Sequence, residues 1–172
     1  MVLLLAVTAP STILDLRRRA KNLLQVHIRN LELMVGEAER LLEQGDIRDA
    51  AEKAYAAYKS LLGALVAKHI DRLEAVLLER ISEDREKGLR EARWWLEKGL
   101  EIPSRAVGPI ALTLAKLLGD DEIALMADHA ILLHKWFYGG DELVEGMTRE
   151  KAEHTIKHLL GTIEKKARQH LA

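Results

Sequence analysis

The stretch AERLLEQGDIRDAAEKAYAA, residues 38–57, decides the fold. Its two halves are rich in Ala, Leu, Glu, Arg and Lys, all strong helix formers, and they meet at Gly45-Asp46. A glycine closes a helix well because it accepts a left-handed backbone, and an aspartate directly after it caps the next. The pair therefore predicts a tight helical hairpin. Ala50, Ala54 and Ala57 then let the two helices approach closely.

Working outward, the first helix is expected to begin with a cap at Ser11 or Thr12 and to run to Gln44, with a kink near Gly36. The second carries Ala50, Ala54, Ala57, Leu61, Leu65, Leu73 and Val76 near one face, as a single packed helix. A more charged stretch from Glu79 to Glu101 has Leu89, Ala92 and Leu96 as its apolar positions, predicting a less deeply packed helix ending near Gly99. Pro103 interrupts the chain. Gly108-Pro109 is expected to start a helix that stops at Gly119, since proline is tolerated in a first turn. Asp120 or Asp121 is expected to cap the next, which runs to Tyr138 before Gly139-Gly140. Thr148 caps the last, whose Ala152, Ile156, Leu159, Ile163 and Ala167 form a stripe. Six segments result, four of them long enough to form a bundle. The hairpin alone resembles one tetratricopeptide unit, but no second copy occurs at a period near 34 residues, so a solenoid is rejected.

Composition agrees with an all-α fold. Of 172 residues, 31 are Leu and 22 Ala, while Val, Ile and Thr together make 25 and are scattered singly. Residues 1–11 read as an N-terminal extension and 12–172 as one helical-bundle domain, with 79–104 as an insertion. The apolar run Met1–Val7 is too short to span a bilayer and lacks the flanks of a signal peptide, predicting a cytoplasmic protein with no membrane partner. Asn and Gln total five, a bias seen in thermophile proteins. The absence of cysteine excludes disulfides, thiolate zinc sites and cysteine nucleophiles.

With a net charge of −1, no overall field draws the chain to nucleic acid. The charge is uneven, however: residues 1–30 carry +4, residues 149–172 carry +3, and the middle is −8. If both ends lie on one side of the bundle, the cluster Arg17-Arg18-Arg19 with Lys21 could meet phosphates; solvated helix faces are the alternative reading. No phosphate-binding glycine loop, Gly-x-Ser-x-Gly elbow, Glu-x-x-His or His-Glu-x-x-His is present. His129 and His134, with Asp128 and the run Trp136-Phe137-Tyr138, lie on a helix apolar on two sides. Five positions turn a helix by roughly 140° beyond one full revolution, so the imidazoles face different neighbours. His154 and His158 have a metal-chelating spacing but no third ligand in view, and read as a solvated face. The grouped aromatics Tyr55 and Tyr58, Trp94 and Trp95, and Trp136-Phe137-Tyr138 read as core or interface anchors.

Two stretches carry a resemblance to a known family. Glu39–Asp46 followed by Ala50–Tyr55, and later Leu117–Glu122 leading into Ala130–Tyr138, resemble HEPN-type helical domains, most closely the archaeal PaREP family. The resemblance covers about residues 30–70 and 110–170. It implies a four- or five-helix up-and-down bundle that commonly dimerises. Active HEPN members cleave RNA with an Arg-x4–6-His pair in a cleft shared by two subunits. His134 matches the motif histidine, but His129 stands at the arginine position, so the permanent charge that would hold a scissile phosphate is missing. A literal Arg-x4–6-His occurs at Arg149 and His154, after the signature, and reads as a decoy. The expectation is a non-catalytic homodimeric binding module for nucleotide or RNA. Asp128, His129, His134 and Tyr138 are its candidate ligand-binding residues, with no cofactor or metal. The alternatives are an RNase using His134 with His129 or Arg149, and a metal-binding bundle.

Overall fold

The computed structural model describes residues 10–172, so the apolar run Met1–Val7 lies outside the described residues. Seven α-helices follow in order: α1 Ser11–Glu43, α2 Ile47–Lys68, α3 Ile70–Glu83, α4 Arg85–Trp94, α5 Val107–Leu118, α6 Glu122–Gly139 and α7 Arg149–His170. No strand occurs among the described residues. A π-helical turn, Trp95–Gly99, continues α4, and a 3-10 turn, Ser104–Ala106, leads into α5.

The α1–α2 hairpin forms as its sequence requires. Gly45 has φ +75°, and the Asp46 carboxylate accepts from the Asp49 amide at 3.2 Å. α1 is unbroken through Gly36. It starts directly after Pro10, with no side-chain cap from Ser11 or Thr12.

α2 is the axis of the molecule. Every residue from Leu61 to Ala67 is buried, and α1, α5, α6 and α7 all pack on it. Polar bonds set the directions. Arg48 reaches Phe137, Glu52 reaches His134 and Tyr58 reaches Ile123, so α2 and α6 run antiparallel. Arg149 meets Gly45 and His69 meets His170, so α2 and α7 run parallel. The four long helices therefore alternate up and down around one core. Tyr58 is wholly buried, its hydroxyl donating to the Ile123 carbonyl at 2.6 Å. Close approach between α1 and α2 needs a glycine: a Cβ on Gly63 would lie 2.5 Å from the His27 imidazole.

Several local expectations are corrected. The stripe from Ala50 to Val76 belongs to two helices, because the backbone departs from helical geometry at His69 (φ −105°, ψ 26°). The His69 ring bonds the His170 carbonyl at 2.9 Å, which fastens the break to the end of α7. The charged stretch is likewise divided: Asp84 ends α3 and caps α4 through the Lys87 amide at 3.0 Å. Its far end is deeply packed, with Trp95, Gly99 and Leu100 buried. α5 begins two residues before Pro109. Asp121 precedes α6 without a side-chain cap bond. The Asp120 carboxylate instead accepts from Lys166 at 2.7 and 2.8 Å and lies 2.7 Å from His170 Nε2. Gly119 (φ +64°) and the Thr148 cap are as read from the sequence.

Together α3, α4 and the π turn form an outlying layer against the N-terminal half of α1. Arg17 clamps it with a bidentate pair to buried Glu74 at 2.9 and 2.5 Å. Arg19 reaches the Leu96 carbonyl and Glu101. Two members of the Arg17-Arg18-Arg19 cluster thus fasten helices together, and Arg18 lies 3.8 Å from Asp15.

Candidate functional site

Where α2 crosses α6, four side chains gather. Glu52 and Tyr55 sit three apart on α2, and His134 and Tyr138 four apart on α6, so each pair shares a helix face. Antiparallel packing brings the faces together. His134 Nδ1 lies 2.9 Å from Glu52 Oε2. The imidazole stacks on the Tyr55 ring, with centroids 4.0 Å apart and planes at 20°, and Tyr138 meets it edge-on at 5.0 Å. Tyr138 is 68% exposed, so the cluster opens to solvent on one side. Burial pushes the Tyr55 phenol above its ordinary value, which keeps it neutral. Lys59 Nζ stands 5.7 Å from the same ring, a cation–π contact.

This arrangement fixes the imidazole. With Nδ1–H donating to the Glu52 carboxylate, Nε2 carries the free lone pair and can accept a proton or a hydrogen bond. That supplies one half of acid–base chemistry. The other half, a positive group for developing phosphate charge, is not supplied by Arg48 or Arg149. Arg48 donates from Nε to the Phe137 carbonyl at 2.9 Å, and Arg149 donates to the Gly45 carbonyl.

The four candidate ligand-binding residues divide. His134 and Tyr138 come together. His129 lies on another face of α6, its ring edge-on to His158 of α7 at 5.9 Å, and Asp128 is exposed on the outer side. His129 and His134 therefore do not form one pair. Arg149 and His154 do not converge either: Arg149 turns back to the α1–α2 turn, while His154 lines a shallow groove with Leu132 and Thr148. Among the described residues no group of three or more His, Asp or Glu side chains is arranged to hold a metal ion.

Sequence reasoning missed Glu52 and Tyr55 as site residues. Glu52 is 82 positions from His134, and only the antiparallel register of α2 and α6 joins them.

The fold is an all-α bundle with a carboxylate–histidine–tyrosine cluster on its central helix pair. The chain belongs to the archaeal PaREP1/PaREP8 family, whose model matches residues 26–159. No curated protein and no solved structure matches it.

Proposed function

We propose that the protein is a non-catalytic, HEPN-like homodimeric binding module whose ligand is a nucleotide or RNA, held at the surface around His134 and Tyr138. The observation that carries the reading is the state of His134: held by Glu52 and Tyr55, it is a positioned imidazole without a guanidinium partner. Guanidinium offers five donors and a permanent charge, and a neutral imidazole at the motif's arginine position offers one donor. Removing a preorganised donor of this kind typically lowers a rate by about 10²- to 10³-fold. An exposed tyrosine beside an imidazole retains what binding needs, an aromatic face and hydrogen-bonding groups.

Dimerisation is supported by the outer face of α6. Leu125 is 62% and Leu132 37% exposed there, and exposed Asp128 and Lys135 flank Leu132. A two-fold axis beside Leu132 sets Asp128 of one copy against Lys135 of the other, the self-complementarity that an isologous interface requires. Sedimentation at tens of micromolar should give a dimer, reduced to monomer by Leu132→Glu; a monomeric wild type refutes this part.

The functional test is a nuclease assay with metal chelated, on wild type, His134→Ala and Arg149→Ala, alongside binding of a single-stranded RNA and of nucleotides. The expected result is binding that His134→Ala weakens, without robust cleavage. Strong cleavage abolished by His134→Ala establishes an RNase. Cleavage lost only with Arg149→Ala shows that the Arg149–His154 motif is the active one.

A further inference from the structure

A cleft of about 520 Å³ opens between α2, the π-helical turn and the entry to α5. Trp94, Ile102, Pro103, Ala106 and Pro109 give it apolar walls, and Lys59, Lys98 and Arg105 are its cationic lining residues. Its one carboxylate, Glu101, is ion-paired with Arg19. Among the described residues, none of the three cations has a carboxylate within 4.0 Å. Lys59 is half-buried, and the other cations at half-buried or buried positions, Arg17, Arg19, Lys53 and Lys166, are paired. Three like charges around one concavity repel when it is empty, and an anion between them removes that repulsion.

The backbone around the cleft is irregular in two places. Trp94 directly precedes the π-helical turn and Lys98 lies within it, a geometry found often at functional sites. Ile102 has φ +50° while being almost wholly buried. A β-branched residue in the left-handed region is a true outlier, and such strain concentrates at active sites and ligand clamps. Both irregularities shape the wall that carries Trp94, Lys98 and Arg105. The first turn of α5, at the cleft's edge, has no acidic residue and no side-chain cap.

We propose that this cleft binds a mononucleotide, its base against Trp94 and its phosphate held by Lys59, Lys98 and Arg105. The volume falls within the roughly 300–1,000 Å³ of small-molecule sites. Apolar walls favour a ligand with an aromatic body over inorganic phosphate alone. A polymer would need cations strung along a continuing groove, and the neighbouring Arg17 and Arg19 are already ion-paired. The cleft borders the His134 surface, because Lys59 lines it and stands 5.7 Å from the Tyr55 ring on which His134 stacks, but none of Glu52, Tyr55, His134 and Tyr138 lines it, and it does not depend on the reading given to that surface.

The test is titration of the full chain with AMP, adenosine and inorganic phosphate, followed by calorimetry and by tryptophan fluorescence. AMP should bind, with adenosine and phosphate each at least about tenfold weaker, since each makes only part of the contacts. Lys98→Glu and Arg105→Glu should each weaken AMP by about ten- to hundredfold, the worth of one charge-assisted hydrogen bond. Both residues are exposed, so unchanged melting curves separate lost binding from lost folding. His134→Ala should leave intact the AMP binding that Lys98→Glu and Arg105→Glu remove, whatever it takes from the His134 surface, which keeps failure at the two sites distinguishable. Three results overturn the proposal: no AMP binding up to about 1 mM, phosphate binding as tightly as AMP, or AMP affinity that follows His134 and ignores Lys98 and Arg105.

Discussion

Replacing Lys166 with methionine should destabilise the protein at the end of the bundle where α7 meets the α5–α6 turn. The Lys166 side chain is only 4% exposed, and its ammonium reaches both Asp120 oxygens and Glu122 at 2.6 Å. Asp120 is 10% exposed, so after the substitution a carboxylate is left nearly dry, with His170 as its remaining partner. Removing one member of a buried ion pair costs about 3–5 kcal/mol; the retained histidine argues for the lower figure. At about 2–4 °C per kcal/mol for a chain of this size, the melting temperature should fall by about 6–12 °C. Burial alone would raise the Asp120 carboxyl, but hydrogen bonds from Lys166 and His170 hold it below its ordinary 3.8. The same bonds, with that to Glu122, hold Lys166 above 10.5 against its own burial. The pair's stabilisation is therefore complete between these two ordinary values. It is lost as pH falls through the depressed Asp120 value or rises through the elevated Lys166 value. Thermal melts at pH 7 on wild type, Lys166→Met, Asp120→Asn and the double variant close a cycle. The double variant should lose less than the sum of the singles. Additive losses, or a Lys166→Met cost under about 1 kcal/mol, refute the reasoning.

Two further outcomes follow from packing around the imidazoles. Gly63→Ala would ordinarily strengthen a helix interior, yet its Cβ meets His27 at 2.5 Å, so urea melts should show a loss of about 1–3 kcal/mol. His27→Ala should relieve the clash, and the double variant should be more stable than His27→Ala alone. Burial lowers the His27 and His69 values below 6.5, although each keeps a backbone hydrogen bond that opposes it. Their neutral forms suit the fold. Stability from this source is complete above pH 6.5 and declines as pH falls toward the depressed values. Urea midpoints between pH 7.5 and 5 should therefore fall on acidification, and less so in His27→Gln; a flat profile refutes the assignment.

What could be read in the sequence was local. Gly45-Asp46, Gly119 and Thr148 act through their own backbone within a few residues, and each does what its residue type implies. The apolar stripe of α7 is similarly self-evident, since Ala152, Ile156, Leu159 and Ile163 are all buried. The break at His69 left no such mark, because the apolar pattern continues across it and the carbonyl that its ring bonds, that of His170, is 101 positions away. Asp120 looked like a cap because it precedes a helix; Lys166, 46 positions on, claims its carboxylate. Asp84 was hidden in a run of charges. The same distinction separates His134, which a short motif exposes, from Glu52 and Tyr55, which only the register of two helices brings to it.

The outlying layer has a consequence for how the molecule opens. Beside buried side chains such as Leu77, Ala92 and Trp95, arginines join it to α1, Arg17 to Glu74 and Arg19 to Glu101, and its own two helices are tied by Arg80 to Glu91. Gly88 lets those helices touch, since a Cβ there would meet the Ile81 backbone at 2.5 Å. α2, by contrast, is held by an apolar surround on several sides. Charge pairs at partly exposed positions weaken with added salt, whereas apolar burial does not. The amide protons of α3 and α4 should then exchange through a partial opening that salt promotes, while those of α2 wait for the whole fold to come apart. A ligand seated against Trp94 and Lys98 would bridge the two regions and slow the first of these motions.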